Sequence, residues 1–306
     1  MVPAAERGAT RGGRLPASKV AARELRTRLT AVWKALRSVC QGRHDPKRLH
    51  GVRVASRRAL AAFEAFGEFV PAKHGRWLAQ RIRRIRRTAG ETRDLDVLLD
   101  RLVKEPQAQE GSRDWQQLLR RLVSQRDRSR RPLKKLLRKL ESADWAGRVR
   151  KLCKRMEMAD TDEALAAYAS RGLHPLLQRF FRQADRTLTD ADQLHQLRIA
   201  GKKIRYAVEA LAAGLPAKVR TQGLAVLEDM QEALGSFVDH SAAAERFRRW
   251  AREADSRRAR RLLIDLAERE AHLAERARTD FTRWWTVARR RKLGQSLQPP
   301  SRRRKG

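Results

Sequence analysis

Acidic side chains are scarce in this sequence, and so are cysteine, proline, glycine and aromatic residues. Asp and Glu total 35 among 306 residues against 71 Lys and Arg, which leaves a net charge of +36 and a pI near 11.6. A chain with so few acids cannot neutralise its own surface, and the excess predicts a polyanionic partner: DNA, RNA, an acidic membrane or inorganic polyphosphate. Two cysteines, Cys40 and Cys153, without CxxC spacing or a Cys/His cluster, exclude a disulfide framework and a zinc site and fit a reducing compartment. The N-terminal stretch MVPAAERGATRGGRLPASK lacks the apolar h-region of a signal peptide. No run approaches the roughly 18 apolar residues of a membrane span. The expectation is a soluble, cytoplasmic protein with no membrane association.

Catalytic signatures are missing as well. No Walker loop, GxSxG, HExxH or zinc-finger spacing occurs, so no catalytic residue, cofactor or metal site is expected. The seven tryptophans recur at helical spacing with Leu and Ala, a core pattern. They do not interleave with the repeated basic stripe as base-stacking platforms would.

What the sequence has in abundance is Ala, Leu, Arg, Glu and Gln, with no sustained period-2 alternation of β-branched residues. That is helix composition, and the predicted class is all-α. Apolar residues make up 41% of the chain, enough to bury a core. Helices are expected near 18–40, 46–69, 74–104, 113–140, 144–156, 162–187, 191–213, 217–234, 237–255 and 257–289. Breaks are expected at Pro46, Pro71, Pro106, Gly111-Ser112 and Pro216. Residues 1–17 and 293–306 are basic, Gly/Pro/Ser-rich and read as solvated tails. Between them the chain divides into halves at 18–160 and 161–292.

The division rests on an internal repeat. Leu49 to Phe66, LHGVRVASRRALAAFEAF, returns 194 − 49 = 145 residues later as LHQLRIAGKKIRYAVEAL, Leu194 to Leu211. In the same ungapped register Pro71-Ala72-Lys73 returns as Pro216-Ala217-Lys218, Gly90 as Gly235 and Asp94 as Asp239. About a dozen identities across 46 positions, with Pro, Gly, His and Asp held together, indicate duplication of a helical unit.

Each copy has two faces. At ~100° per residue from His50, the residues Leu49, Val52, Ser56, Ala59, Phe63 and Phe66 fall within one apolar sector. Opposite lie His50, Arg53 and Arg57, with Glu64 a turn further and Arg58 on a flank. In the second copy Leu197, Ile204, Val208 and Leu211 make the core. His195, Arg198 and Lys202 make the stripe, followed by Glu209, with Lys203 flanking and Arg205 and Tyr206 widening it. Each stripe runs along about 10 Å of helix. Like charges crowded on one face repel, and an anion threaded between them recovers that cost. Glu64 and Glu209 are expected to orient neighbouring cations.

The helix HGRWLAQRIRRIRRTAG, residues 74–90, places Arg81, Arg83, Arg84, Arg86 and Arg87 around an apolar stripe of Leu78, Ile82, Ile85 and Ala89. Some extend the anion track and others are solvated; Arg83 and Arg86 are the two assigned to the track. In the acidic stretch Gly90-Glu91-Thr92-Arg93-Asp94-Leu95-Asp96, Gly90 is read as a helix break, with Thr92 or Asp94 capping the next helix, and not as a metal loop.

The segments LHGVRVASRRALAAFEAF, TAGETRDLDVLLDRL and LHQLRIAGKKIRYAVEAL, in this order and spacing, resemble the CHAD domain, the conserved-histidine α-helical domain, over roughly residues 15–290. The resemblance implies two four-helix-bundle-like halves related by a pseudo-twofold, a basic cavity between them, binding of inorganic polyphosphate and, in some bacteria, residence on polyphosphate granules. The family's histidines match His50 and His195. Its basic positions match Arg53, Arg57, Arg58, Arg93, Arg198, Lys202, Lys203 and Arg205. The second half departs at ALGSFVDH, where Val238 replaces the arginine equivalent to Arg93. The acidic and basic ExExK signature of triphosphate-tunnel enzymes, often fused to such domains, is missing, so a free-standing binding module is expected. A flexible chain of phosphates offers no bases to read, and a line of Arg, Lys and His donors suffices to hold it. The alternative partner is nucleic acid, coated without sequence specificity.

Overall fold

Amphipathic periodicity, few glycines and well-placed caps make the described part of this chain helical. The structure, a computed structural model, describes residues 13–42, 44–104, 113–159, 161, 163–185, 188, 190–254 and 257–297. The expected breaks at Pro106 and Gly111-Ser112, and the tails at 1–12 and 298–306, lie outside these residues. Among the described residues ten α-helices follow one another: α1 Ala17–Gln41, α2 Pro46–Ala65, α3 Ala72–Val103, α4 Arg113–Ser142, α5 Trp145–Glu157, α6 Leu165–Ala184, α7 Ala191–Leu211, α8 Leu224–Arg252, α9 Arg257–Trp284 and α10 Val287–Leu297. No strand occurs among the described residues. None of their helices is long and apolar enough to cross a membrane.

The chain forms two compact units, Pro16–Asp162 and Met1–Leu15 with Glu163–Gly306. In the first, α1 packs on α2, α2 on α3, α3 on α4 and α4 on α1, while α5 lies against α1, α3 and α4. Leu25, Leu29 and Leu36 of α1, Ile82 and Ile85 of α3 and Trp115 of α4 are fully buried in that core. Trp33 stacks on Trp145 at 5.8 Å between ring centroids and ties α1 to α5. In the second unit α6 packs on α7, α7 on α8 and α8 on α9, around Phe180, Leu197, Ile204, Leu234, Phe247 and Phe281.

The two basic-stripe helices begin alike. Asp45 caps α2 by accepting from the backbone N–H of Lys47 at 2.8 Å and of Arg48 at 3.4 Å, and Pro46 follows at the first turn. Asp190 caps α7 by accepting from Gln193 N–H at 2.7 Å. Such caps satisfy otherwise orphaned donors and place a negative charge at the positive helix end. Each helix ends in a short 3-10 turn, Gly67–Phe69 or Ala212–Gly214. Caps, first residues and 3-10 turns are all offset by the same 145 positions.

Several boundaries differ from the sequence reading. Gly90 does not end a helix: α3 runs unbroken through it, Ala89 and Thr92 are fully buried, and the Thr92 hydroxyl lies 2.9 Å from that of Ser129 on α4. Thr92 therefore joins two helices and caps neither, and Asp94 pairs across to α2. Gly235 likewise lies inside α8 between buried Leu234 and Phe237, so one helix replaces the expected pair 217–234 and 237–255. A mid-helix glycine costs about 1 kcal/mol relative to alanine, and burial of the residues around it outweighs that.

The start of that segment is a π-helical turn, Val219–Gly223. Gly223 fits closely there: a Cβ would come within 2.7 Å of the Leu297 side chain and 3.3 Å of the Ser296 carbonyl. The expected helix 257–289 splits because Trp285 is buried against Phe180, 6.5 Å between centroids, and the Thr286 hydroxyl accepts from Arg289 N–H to start α10. Leu293 and Leu297 are fully buried, so ordered helix continues past residue 293, where the sequence pattern put the start of the tail. At the other end the Leu15 carbonyl accepts from Leu165 N–H at 3.0 Å, which ties residue 15 down before α6.

Candidate functional site

Burial on α2 sorts its residues as the period demands. Leu49, Val52, Ser56, Ala59, Phe63 and Phe66 are buried, and so are Leu197, Ile204, Val208 and Leu211 of α7. That fixes the rotation of both helices and leaves their basic stripes on the opposite side. On α2, His50 and Arg58 are exposed while Arg53 and Arg57 are half-buried.

Facing them, α3 brings Arg83, Arg86 and Arg93 together with the α2 stripe. Arg53 donates from Nη1 to Asp94 Oδ1 at 3.0 Å, a bridge with the Arg53 side chain 21% exposed. Partial desolvation, then the guanidiniums of Arg93, Arg57 and Arg53, push the His50 imidazole below its ordinary value. Burial lowers Arg53 as well; Asp94 opposes the shift, and Arg57 and Arg93 add to it. Arg86 is lowered by burial first, then by Arg57 and Arg83, with Glu64 opposing and Arg53 adding. Five guanidiniums and one imidazole thus act on one another across the α2–α3 groove, with Asp94 and Glu64 as the acids that act on them. Arginine keeps its proton at any accessible pH, so the crowding is stored as repulsion that a bound anion relieves. Arg58 is exposed on the flank of α2.

The second stripe is built differently. His195 and Lys203 are exposed on α7, and Arg198 and Lys202 are half-buried. Arg205 is turned toward acids: its Nη1 lies 3.5 Å from Glu228 Oε1 on α8 and its Nε 3.9 Å from Glu209. Its guanidinium also lies over the buried Tyr206 ring, 4.8 Å from the centroid, and donates to the Tyr206 hydroxyl at 3.1 Å. Where α3 presents Arg83, Arg86 and Arg93, the equivalent positions of α8 are Glu228, Gln231 and Val238.

Sequence reasoning missed two acids of the site. Asp94 looked like a cap, and Glu228 was not singled out. The 145-residue register held a signal for Glu228, since it aligns with Arg83. Asp94 recurs as Asp239, and the repeat alone gave no sign of its pairing with Arg53. Among the described residues no group of three or more His, Cys, Asp or Glu is arranged to hold a metal. Asp96, beside Asp94 in sequence, instead accepts from His44 at 2.7 Å in a buried corner.

The family model described as CHAD domain matches residues 21–248 of the chain. The crystal structure of the CHAD domain from the plant Ricinus communis superimposes with a TM-score of 0.68 at 21% identity, covering 88% of this chain and 93% of that one. PptA from Streptomyces chartreusis superimposes with a TM-score of 0.63 at 19% identity, covering 89% and 99%. At such identities the likeness is one of fold. No curated protein sequence matches the chain.

Proposed function

The chain belongs to the CHAD domain family, and from that premise we propose that it is a non-enzymatic receptor for inorganic polyphosphate. The observation that carries the proposal is the convergence of His50, Arg53, Arg57, Arg83, Arg86 and Arg93 on one groove, with burial and like charge acting on several of them at once. Forked arginine donors suit successive phosphate oxygens, and the groove is formed by two rigid helices, so little order has to be imposed on the protein when an anion binds. His195, Arg198, Lys202, Lys203 and Arg205 supply a second, weaker track in the other unit. The shared 145-residue offset of caps, helices and 3-10 turns supports descent of the two units from one duplicated helical unit. A receptor of this kind attaches to polyphosphate granules through several weak contacts on one long ligand.

The test is binding of the full-length chain to long-chain polyphosphate across a salt series, with duplex DNA of matched phosphate concentration alongside. Polyphosphate binding that survives near-physiological salt while DNA binding falls away supports a dedicated receptor. Parallel collapse of both returns the chain to a nucleic-acid-coating basic protein, the reading that net charge alone supports. Release of phosphate on addition of magnesium or manganese would overturn the non-enzymatic assignment.

A further inference from the structure

A second basic cluster in the Pro16–Asp162 unit lies away from the repeated stripe. It is formed by the first turns of α3, with His74, Trp77 and Arg81, and by α5. On α5, Arg148, Lys151 and Arg155 stand at i, i+3 and i+7 and share one face. His74, Arg148, Arg150, Lys151 and Lys154 line a cleft of about 470 Å³, together with the turn at Asp144 and Gly147. That volume falls within the ~300–1,000 Å³ range of small-ligand sites.

Three features separate this cleft from an ordinary solvated surface. First, its charge is uncompensated. Among the described residues no ion pair joins Arg148, Arg150, Lys151, Lys154 or Arg155 to a carboxylate. The one acid in the lining, Asp144, is committed to accepting from Gly147 N–H at 2.9 Å, from a left-handed backbone position at φ 50°. Second, the cleft is preorganised. The Arg148 guanidinium lies over the Trp77 ring at 4.4 Å and donates from Nε to the Ala143 carbonyl at 2.7 Å, and Arg81 lies over the same ring at 5.2 Å. Third, Arg155 donates toward His74 Nδ1 at 3.3 Å, which leaves Nε2 to carry the proton and serve as a donor. Desolvation, then Arg155, Lys151, Lys73 and Arg148, hold that imidazole below its ordinary value. These partners all lie on α5 or at the start of α3, and none belongs to the α2 stripe.

We propose that this α3–α5 cleft is a second anion site, separate from the α2–α3 groove, that takes a short inorganic oligophosphate. Several cations and a fixed imidazole N–H around so small a volume match a compact ligand with several negative charges on tetrahedral oxygens. A monocarboxylate would leave most of them unneutralised. Trp77 is a positioning residue that acts through Arg148. The site stands on its own geometry and does not require the long-chain reading of the α2–α3 groove.

The experiment follows the His74 imidazole by NMR in the full-length chain, its signal identified with His74→Asn, while tripolyphosphate is added at near-physiological salt. Affinity is measured in parallel by calorimetry. The expected result is a saturable shift of His74 that persists in R53A/R57A, disappears in R148A/K151A/K154A and is unaffected by R120A/R121A/R128A, which removes equal charge from α4. Trp77→Ala should weaken the response about tenfold, with Trp77→Phe restoring most of it. A His74 signal that does not move overturns the proposal. So does an equal response to sulfate at matched ionic strength, which indicates a general basic patch, or to duplex DNA. Movement with long-chain polyphosphate but not with tripolyphosphate also overturns it, since the cleft is then one stretch of a longer track. Failure of the long-chain salt test with a positive tripolyphosphate result would sink the polyphosphate-receptor reading and leave this site standing.

Discussion

Arg205 of α7 sends its Nη1 to Glu228 of α8 at 3.5 Å, and Glu228 stands where the first unit has Arg83, 228 − 83 = 145 residues earlier. Arg205 has no counterpart in the first unit, where Leu60 stands at its position, so the second unit pairs an added cation with an acid at the place where the first unit carries Arg83. The exposed side of the pair is Glu228, 61% accessible, so the interaction itself is worth at most about 1 kcal/mol. Glu228→Gln should therefore strengthen polyphosphate binding two- to fivefold at low salt and steepen its salt dependence. Unchanged binding in a salt-series titration would show that Arg205 does not meet the ligand.

Removal of Arg53 and Arg57 should weaken binding more than removal of Arg198 and Lys202, because α3 adds Arg83, Arg86 and Arg93 to the first stripe and α8 adds none. By analogy with nucleic acids, each lost contact lowers the log–log salt slope by about one. The check is helical content by circular dichroism, followed by titration of R53A/R57A, R198A/K202A and a control with two arginines removed from α9. Equal losses from all three would mean that net charge, and not the groove, binds the ligand.

The pH dependence has a definite sign. His50 binds its proton less tightly in the folded chain than in the unfolded one, so its contribution to stability is intact above the ordinary histidine range and is eroded as pH falls through that range. A bound polyanion raises the imidazole toward protonation, so binding tightens as pH falls. Between about pH 8 and about pH 5, His50→Gln should show a shallower rise in affinity than the unmodified chain. Superimposable pH profiles would remove His50 from the ligand's surroundings.

The His44–Asp96 pair is a structural prediction. Asp96 is 3% exposed at its side chain and its second carboxylate oxygen has no hydrogen-bond partner among the described residues. His44→Ala should then cost about 3 kcal/mol by stranding a buried carboxylate, and H44A/D96L should recover most of it. Chemical denaturation of both variants measures this.

Gly223→Ala should loosen α10 without touching either basic stripe. The new methyl meets Leu297 and the Ser296 carbonyl, and overpacking of this kind costs about 1–3 kcal/mol. Faster amide exchange confined to residues 287–297 and the π turn, with polyphosphate affinity unchanged, is the expected signature.

Much of this could be read without coordinates. The starts of α2 and α7 were legible because Asp45-Pro46 and Asp190 are strong caps, and their rotation was legible because the apolar residues hold a 3.6 period. The apolar period gave one helix over 74–104, which α3 bears out against the local reading of Gly90 as a break, whereas the unbroken passage of α8 through Gly235 was not legible. A glycine's local preference is the same in either case, and only the burial of Ala89, Thr92, Leu234 and Phe237 decides it. The start of α10 was hidden for a similar reason: Thr286 is an unremarkable cap until Trp285 is seen buried beside Phe180.

The sequence by itself determined an all-helical chain, its excess of positive charge and two repeated stripes, because period, composition and register are properties of neighbours along the chain. Tertiary packing decided which cations oppose one another across a groove, which are turned onto acids as Arg205 is, and which gather on α5 beside Trp77. Those outcomes depend on helices brought together from tens of residues apart, where electrostatic interaction falls off with distance in space and takes no account of distance in sequence.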